Sequence, residues 1–206
     1  MNTSKLPQVA GKTRQLGQSP RQLARAGFTL IELVTGMVVV SIAVTIFAQH
    51  MRITDIREVE LAASDMVRRL DMARSRAIAQ RQSVRVLFDT SVDEYRAWVD
   101  HDRDGTIDQT DAELDAFTEF RTVDLRQKVT YGLGSAPSLP VDSTGTGAVT
   151  FVSDMLDFDS RGVTAPFGTR GTIYIQHKDN PEVVAAVYVS GSASSRMYRF
   201  VDGVWQ

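Results

Sequence analysis

The stretch "RAGFTLIELVTGMVVVSIAVTIFA", residues 25–48, decides the reading of this chain, because from Phe28 to Ala48 Glu32 is its only charge. About 20 apolar residues are needed for a helix to cross the hydrocarbon core of a bilayer. The direct reading is therefore one membrane-spanning helix. A buried core helix and a cleaved signal peptide are the alternatives; a signal's apolar region is usually about 7–15 residues long and ends at a small-residue cleavage site, of which "IFAQHMRI" is a poor version. A carboxylate near the centre of such a helix costs about 2.5–3.5 kcal/mol on insertion scales, so an acid at this place asks for a purpose. Glu32 lies near one end of the run, where snorkelling lowers that cost.

The flanks set the direction. Residues 1–27 hold Lys5, Lys12, Arg14, Arg21 and Arg25 and no acid, so the remaining 18 of the 23 basic residues face all 25 acids. A polar, basic leader cannot bury a core and obeys the positive-inside rule, which keeps it in the cytoplasm. The chain contains no cysteine, which removes disulfides, thiolate catalysis and cysteine-ligated metal from consideration.

The leader, Gly27, then Phe28, Thr29, Leu30, Ile31, Glu32 and the continuing apolar run resemble the amino-terminal signature of type IV pilins and type II secretion pseudopilins. The resemblance implies cleavage by a prepilin peptidase after Gly27 and methylation of the new amino terminus at Phe28. Glu32 would then be the fifth mature residue and could pair, in low dielectric, with the α-ammonium of Phe28 on a neighbouring subunit. Breaking a buried ion pair typically costs about 3–5 kcal/mol, enough to reject subunits out of register.

Beyond the membrane run the helical period continues. Ile56, Val59, Ala63, Met66, Leu70, Ala73 and Ala77 recur at spacings of three and four, with Arg57, Glu58, Glu60, Asp65, Arg68, Arg69, Arg74 and Arg76 on the other faces. No proline falls between Pro20 and Pro137, so one helix can run from Phe28 to Gln80, roughly 80 Å at 1.5 Å per residue. Its small alanines suit packing on a sheet; a coiled coil of about three heptads is the alternative.

After Arg81 the chain turns to short strand-like runs: "SVRVLF", "EYRAWVD", "FTEFRTVDL", "VTYGL", "AVTFV", "GTIYIQ", "VVAAVYVS" and "RMYRFVDG". Asp, Gly, Pro and Ser separate them, and "GSAPSLPVDSTGTG", residues 134–147, has the composition of a surface loop. The expected fold class is α+β, a long amino-terminal helix packed on an antiparallel β-sheet head. The expected division is a cytoplasmic leader 1–27, a transmembrane helix 28–48, an amphipathic helix 49–81 and a β-rich periplasmic head 82–206. That order, with "LDMARSRAIAQRQSVRVLF", "YRAWVDHDRDG", "LDFDSRGVTAPFGTRGTIYI" and "AAVYVSGSASSRMYRF", resembles the H-type minor pseudopilins and FimT-type pilins. The end "YRFVDGVWQ" departs from the Gly-Arg-rich final strand usual in that group.

A second constellation is "DHDRDGTIDQTD", residues 100–111. Asp100, Asp102, Asp104, Gly105, the Thr106 carbonyl, Asp108 and Asp111 fall at positions 1, 3, 5, 6, 7, 9 and 12 of an EF-hand-type calcium loop. Asp111 replaces the usual bidentate glutamate, and strand-like flanks replace helices. Calcium is the ligand this spacing suggests; a solvated acidic turn is the other reading, and no cofactor is required by the rest of the chain.

Catalytic patterns are weak. His50, His101 and His177 lack ligand spacing, "GLGSAP" and "STGTG" fit no nucleotide fingerprint, and an enzyme would need Asp154, Asp157 and Asp159 to converge in a cleft. Arg196 and Arg199 make too small a patch for nucleic acid on an acidic remainder. The resemblance implies a non-catalytic minor pseudopilin of the bacterial inner membrane, single-pass with a periplasmic head. Its implied partners are other pseudopilins, the inner-membrane assembly platform and prepilin peptidase, and its role is protein secretion. A minor type IV pilin in pilus assembly or DNA uptake is the alternative.

Overall fold

The structure, a computed structural model, describes residues 29–142, 145 and 147–206, without side-chain detail at 48–53 and at Glu119. The chain divides into two units, residues 1–44 and 45–206. The expectations for the leader 1–27, Gly27 and Phe28 lie outside the described residues.

The first unit, as described, is the start of helix α1, Leu30–Gln80. Thr29 precedes it and accepts the Glu32 amide on its carbonyl at 3.1 Å and on its Oγ1 at 3.3 Å, capping the first turn. From Leu30 to Val44 all side chains are exposed. Thr35 donates its hydroxyl to the Ile31 carbonyl at 2.9 Å, and Ser41 donates to the Met37 carbonyl at 2.8 Å. The hydroxyls of Thr35 and Ser41 are thus satisfied within the helix, as an apolar surrounding demands.

The second unit is a β head built on the rest of α1. In chain order it contains β1 Val84–Asp89, β2 Glu94–Val99, α2 Asp111–Asp115, β3 Val123–Asp124, β4 Val129–Tyr131, β5 Met155–Phe158, β6 Thr164–Ala165, β7 Gly171–His177, β8 Val184–Val189, β9 Ser195–Val201 and β10 Val204–Trp205. They form two five-stranded sheets, ordered β3-β2-β1-β5-β6 and β10-β9-β8-β7-β4. The strand pairs are antiparallel. This is the expected α+β class, with the sheet resolved into two.

Alternation along the strands fixes what each sheet buries. In β1, Val84, Val86 and Phe88 are buried and Arg85, Leu87 and Asp89 only half-buried. Their apolar face, together with Ile173 and Ile175 of β7 and Ala185, Val187 and Val189 of β8, closes on the α1 stripe Val59, Ala62, Ala63, Met66, Leu70, Ala73 and Ala77. The three- and four-residue period of the sequence is therefore the buried face of the helix, widened by Ala62 and half-buried at Ile56. A second, smaller cluster of Leu139, Tyr174 and Ala186 lies on the other face of β7 and β8. There the Leu139 amide donates to the Tyr174 hydroxyl at 2.7 Å and Trp205 Nε1 donates to the Pro137 carbonyl at 3.0 Å. Residues 133–142 are therefore a cover for the outer face of a sheet, more than a surface loop.

Two strand expectations are corrected. "FTEFRTVDL" forms a 3-10 turn at Thr118–Phe120 and pairs only at Val123–Asp124. Phe117 and Phe120, three apart, both turn into the core with ring centroids 5.5 Å apart, a helical spacing that alternation would have split between two faces. The Arg76 guanidinium lies over the Phe117 ring at 4.8 Å and donates to the Ala116 carbonyl, and Arg69 lies over Phe120 at 6.0 Å. "AVTFV" makes a single bridge, Val149 to Ile173.

Candidate functional site

Two features hold the residues singled out in the sequence. The first is the apolar part of α1. Leu30–Phe47 is 18 residues of helix, long and apolar enough to cross a membrane, and none of it is buried. Glu32 occupies the first turn and is exposed. There the helix macrodipole favours a negative charge, and a carboxylate at this end of the helix faces whatever approaches its amino terminus.

The second feature is the loop from Asp100 to Thr110, between β2 and α2. Asp100 follows the last residue of β2, is only 4% exposed, and is fixed by its amide donating to the Ser83 carbonyl at 3.0 Å. Its Oδ2 accepts the Gly105 amide at 3.2 Å, for which Gly105 adopts φ +90°, a backbone conformation glycine reaches without strain. Its Oδ1 is buried and has no hydrogen-bond partner.

The other acids of the loop separate into two groups. Asp104 accepts the Thr106 amide at 2.7 Å and the Thr106 hydroxyl at 2.6 Å, bonds that hold its carboxyl below the usual carboxylate value. The same Thr106 hydroxyl lies 3.4 Å from Asp108 Oδ1. Asp111 is exposed in the first turn of α2. Asp100 and Asp102, by contrast, meet Glu113: one carboxylate oxygen from each lies within 4.8 Å of the other two.

Sequence spacing did not suggest Glu113. It is buried, 5% exposed, and takes the Gln109 amide on Oε2 at 2.9 Å, while its own amide donates to Thr110 Oγ1 at 3.4 Å. Thr110-Asp-Ala-Glu113 is the Ser/Thr-x-x-Glu pattern of a helix start, in which the glutamate reaches back toward the preceding chain. That pattern was the available signal for both α2 and the inward turn of Glu113.

Two of the three carboxylates required by an enzyme reading have structural roles. Asp157 takes Arg85 in a two-bond fork, Nε to Oδ1 at 2.8 Å and Nη2 to Oδ2 at 2.7 Å, across the β1–β5 pair. Asp159 Oδ1 accepts the Arg161 and Val163 amides at 2.8 and 3.2 Å and so shapes a turn. Among the described residues, these two and Asp154 form no metal-compatible group. His177 is buried with Nε2 3.4 Å from Asp55 Oδ1, His101 is exposed, and the side chain of His50 lies outside the described residues.

Comparison with known proteins addresses the greater part of the chain. The minor pseudopilin EpsH from the type 2 secretion system of Vibrio cholerae is similar, at 17% identity and a TM-score of 0.44, over 68% of this chain and 95% of that one. The type IV minor pilin FimU of Pseudomonas aeruginosa is similar at 19% identity and a TM-score of 0.45, over 75% and 96%. No curated protein matches the sequence. The family described as "Type II transport protein GspH" matches residues 62–193, more than half of the sequence. By that match the chain belongs to the GspH family of type II transport proteins, within the pilin and pseudopilin group that its amino-terminal signature resembles.

Proposed function

We propose that this GspH-family chain is a minor pseudopilin of a type II secretion system, held in the bacterial inner membrane by α1 and processed by prepilin peptidase between Gly27 and Phe28. The observation that carries the proposal is the fully exposed apolar helix Leu30–Phe47 with its lone acid, Glu32, in the first turn. Such a surface needs a lipid or protein partner outside its own chain. Before assembly that partner is the bilayer; in a pseudopilus it is the equivalent helix of neighbouring pseudopilins.

Cleavage places an α-ammonium at Phe28, four residues from Glu32. In a filament the carboxylate of one subunit pairs with the ammonium of the next, and the two charges are desolvated together. The head remains on the periplasmic side and caps or initiates the short filament whose growth moves substrates outward. The family is one of assembly proteins, and the residues at the head surface work in recognition and stability.

Two measurements test this. Co-expression with prepilin peptidase should remove residues 1–27 and leave methylated Phe28, and Gly27→Glu should block both changes by putting bulk and charge at the cut. An intact mass whose amino terminus falls elsewhere refutes the processing step. Glu32→Ala should insert and be cleaved normally, yet lose crosslinks to neighbouring subunits and fail to support secretion; filament incorporation at the wild-type level refutes the pairing.

A further inference from the structure

We propose that Asp100, Asp102 and Glu113 form a divalent-cation site, suited to calcium, that fastens the end of β2 to α2. This donor set differs from the one loop spacing suggests, because Glu113 enters and Asp104, Asp108 and Asp111 leave.

Three carboxylate oxygens within 4.8 Å of one another fit a single calcium shell, since two oxygens on opposite sides of the ion at 2.3–2.6 Å are about 5 Å apart. The independent sign of a ligand is Asp100. Its side chain is almost wholly buried, one oxygen is held by the Gly105 amide, and Oδ1 has no hydrogen-bond partner. A buried carboxylate oxygen without a donor is costly, and a cation is the partner that also offsets repulsion from Glu113 and Asp102.

One positive group that senses this cluster does not fill that role. Arg85 feels the charge of Glu113, yet its guanidinium donates to both oxygens of Asp157 and to the Ile107 carbonyl. Asp104 is turned toward Thr106, whose amide and hydroxyl both donate to its Oδ1, while its own amide donates to Asp102 Oδ1 at 3.3 Å. The carboxylates left to face a cation are those of Asp100, Asp102 and Glu113. The remaining positions of the shell fall to water or backbone oxygens. Calcium suits such a site better than magnesium, which demands near-ideal octahedral geometry and sheds its water reluctantly. The ion would close the loop of residues 100–110 by joining its two ends.

The test uses the full chain in detergent micelles, freed of metal by chelation and titrated with calcium chloride. Calorimetry should show one calcium bound per chain, and the melting temperature should rise with calcium concentration. Magnesium at the same concentrations should give a smaller rise. Asp102 is exposed, so Asp102→Asn should fold and, with one like charge removed, melt no lower than the wild type without metal, while weakening calcium binding at least about tenfold. Glu113→Gln should weaken it similarly, whereas Asp111→Asn should stay within about twofold of the wild type. No heat and no melting shift at millimolar calcium overturns the site, as does wild-type affinity in Asp102→Asn. A larger loss from Asp111→Asn than from Glu113→Gln overturns this donor set in favour of the loop-spacing one. Should Glu113→Gln fail to fold, Asp102→Asn and Asp111→Asn still decide between these outcomes. The result is independent of the secretion role, because it is read on the isolated chain.

Discussion

Two stretches of α1 share one backbone geometry and differ in what covers them. From Leu30 to Phe47 the apolar side chains go all the way round and are exposed. From Val59 to Ala77 the apolar residues narrow to one stripe, which is buried against both sheets, while Asp65, Arg68 and Arg69 form ion pairs on another face. Propensity does not separate them, since the first stretch, rich in valine, isoleucine and threonine, is helical despite poorer helix formers than the alanine, leucine, methionine and arginine of the second. The distribution of apolar residues around the axis decides whether a helix is completed by its own chain or by something else. A full apolar circumference calls for a bilayer or for several neighbouring helices. A stripe calls for one surface, and the chain supplies it.

The sharpest way to break this contrast is a pair of truncations to alanine, one in each stretch. Leu70→Ala should lower the stability of the head by about 2–5 kcal/mol, because it removes a fully buried side chain and leaves a cavity. Val40→Ala, in the exposed stretch, should leave the melting temperature of the head unchanged in detergent. Equal losses in thermal melts of the two variants would mean that the first stretch is also packed on the chain.

A second, smaller effect sharpens the picture of what holds the head closed. Arg85→Ala leaves Asp157 half-buried without its fork, and should cost about 1–3 kcal/mol in denaturant unfolding. Arg85→Lys should recover only part of this, since an ammonium cannot reproduce two parallel bonds. Full recovery with lysine would show that charge alone, and not the fork, joins β1 to β5.

Acid provides the third probe. Burial pushes the Asp93 carboxyl up, but the Thr130 hydroxyl, the Lys178 ammonium and the Tyr131 amide outweigh it and hold the group below its ordinary value near 3.8. A carboxyl with a depressed folded value contributes stability above its unfolded value and loses it as pH falls through the folded one. The melting temperature of the head should therefore drop below about pH 4, and Asp93→Asn should flatten that drop. Parallel melting curves for the two proteins from pH 5 to pH 2 would remove Asp93 from the explanation.

The smallest effect belongs to the rim of the helix contact. Arg199 Nη1 meets Glu60 Oε1 at 2.7 Å with both side chains partly in solvent, so Arg199→Ala should change stability by no more than about 1 kcal/mol, and less in high salt. A larger loss would mark this pair as part of the packing that separates the two stretches.

What could be read from the sequence was local. The stripe from Val59 to Ala77 and the alternation of Val84, Val86 and Phe88 are periods within a few residues, and both are the faces that are buried. Features that depend on distant partners escaped. Leu139 is buried because its amide meets the Tyr174 hydroxyl, 35 positions later, and nothing in "GSAPSLPV" reveals that. Phe117, Phe120 and Val123 passed for a strand because short apolar runs have no clear period. At the acidic loop, the one-dimensional spacing of a known motif pointed to Asp111 and passed over Glu113. The chain turns at Gln109, a residue with φ +59°, starts α2 on Thr110 and so sets Glu113 beside Asp100 and Asp102.

The pairing of β1 with β5 sets the order in which this protein can mature. Arg85 and Asp157 are separated by 72 positions, and the α1 stripe is covered in part by Val187 and Val189, which follow Ala77 by over a hundred positions. Contacts so far apart in sequence close slowly, because the loop entropy must be met before they form. The apolar amino-terminal helix leaves the ribosome long before any of these partners exist. Membrane targeting can therefore be complete while Val59, Met66 and Leu70 are still uncovered. A chain halted before β8 would leave that stripe only partly covered, open to chaperones and proteases.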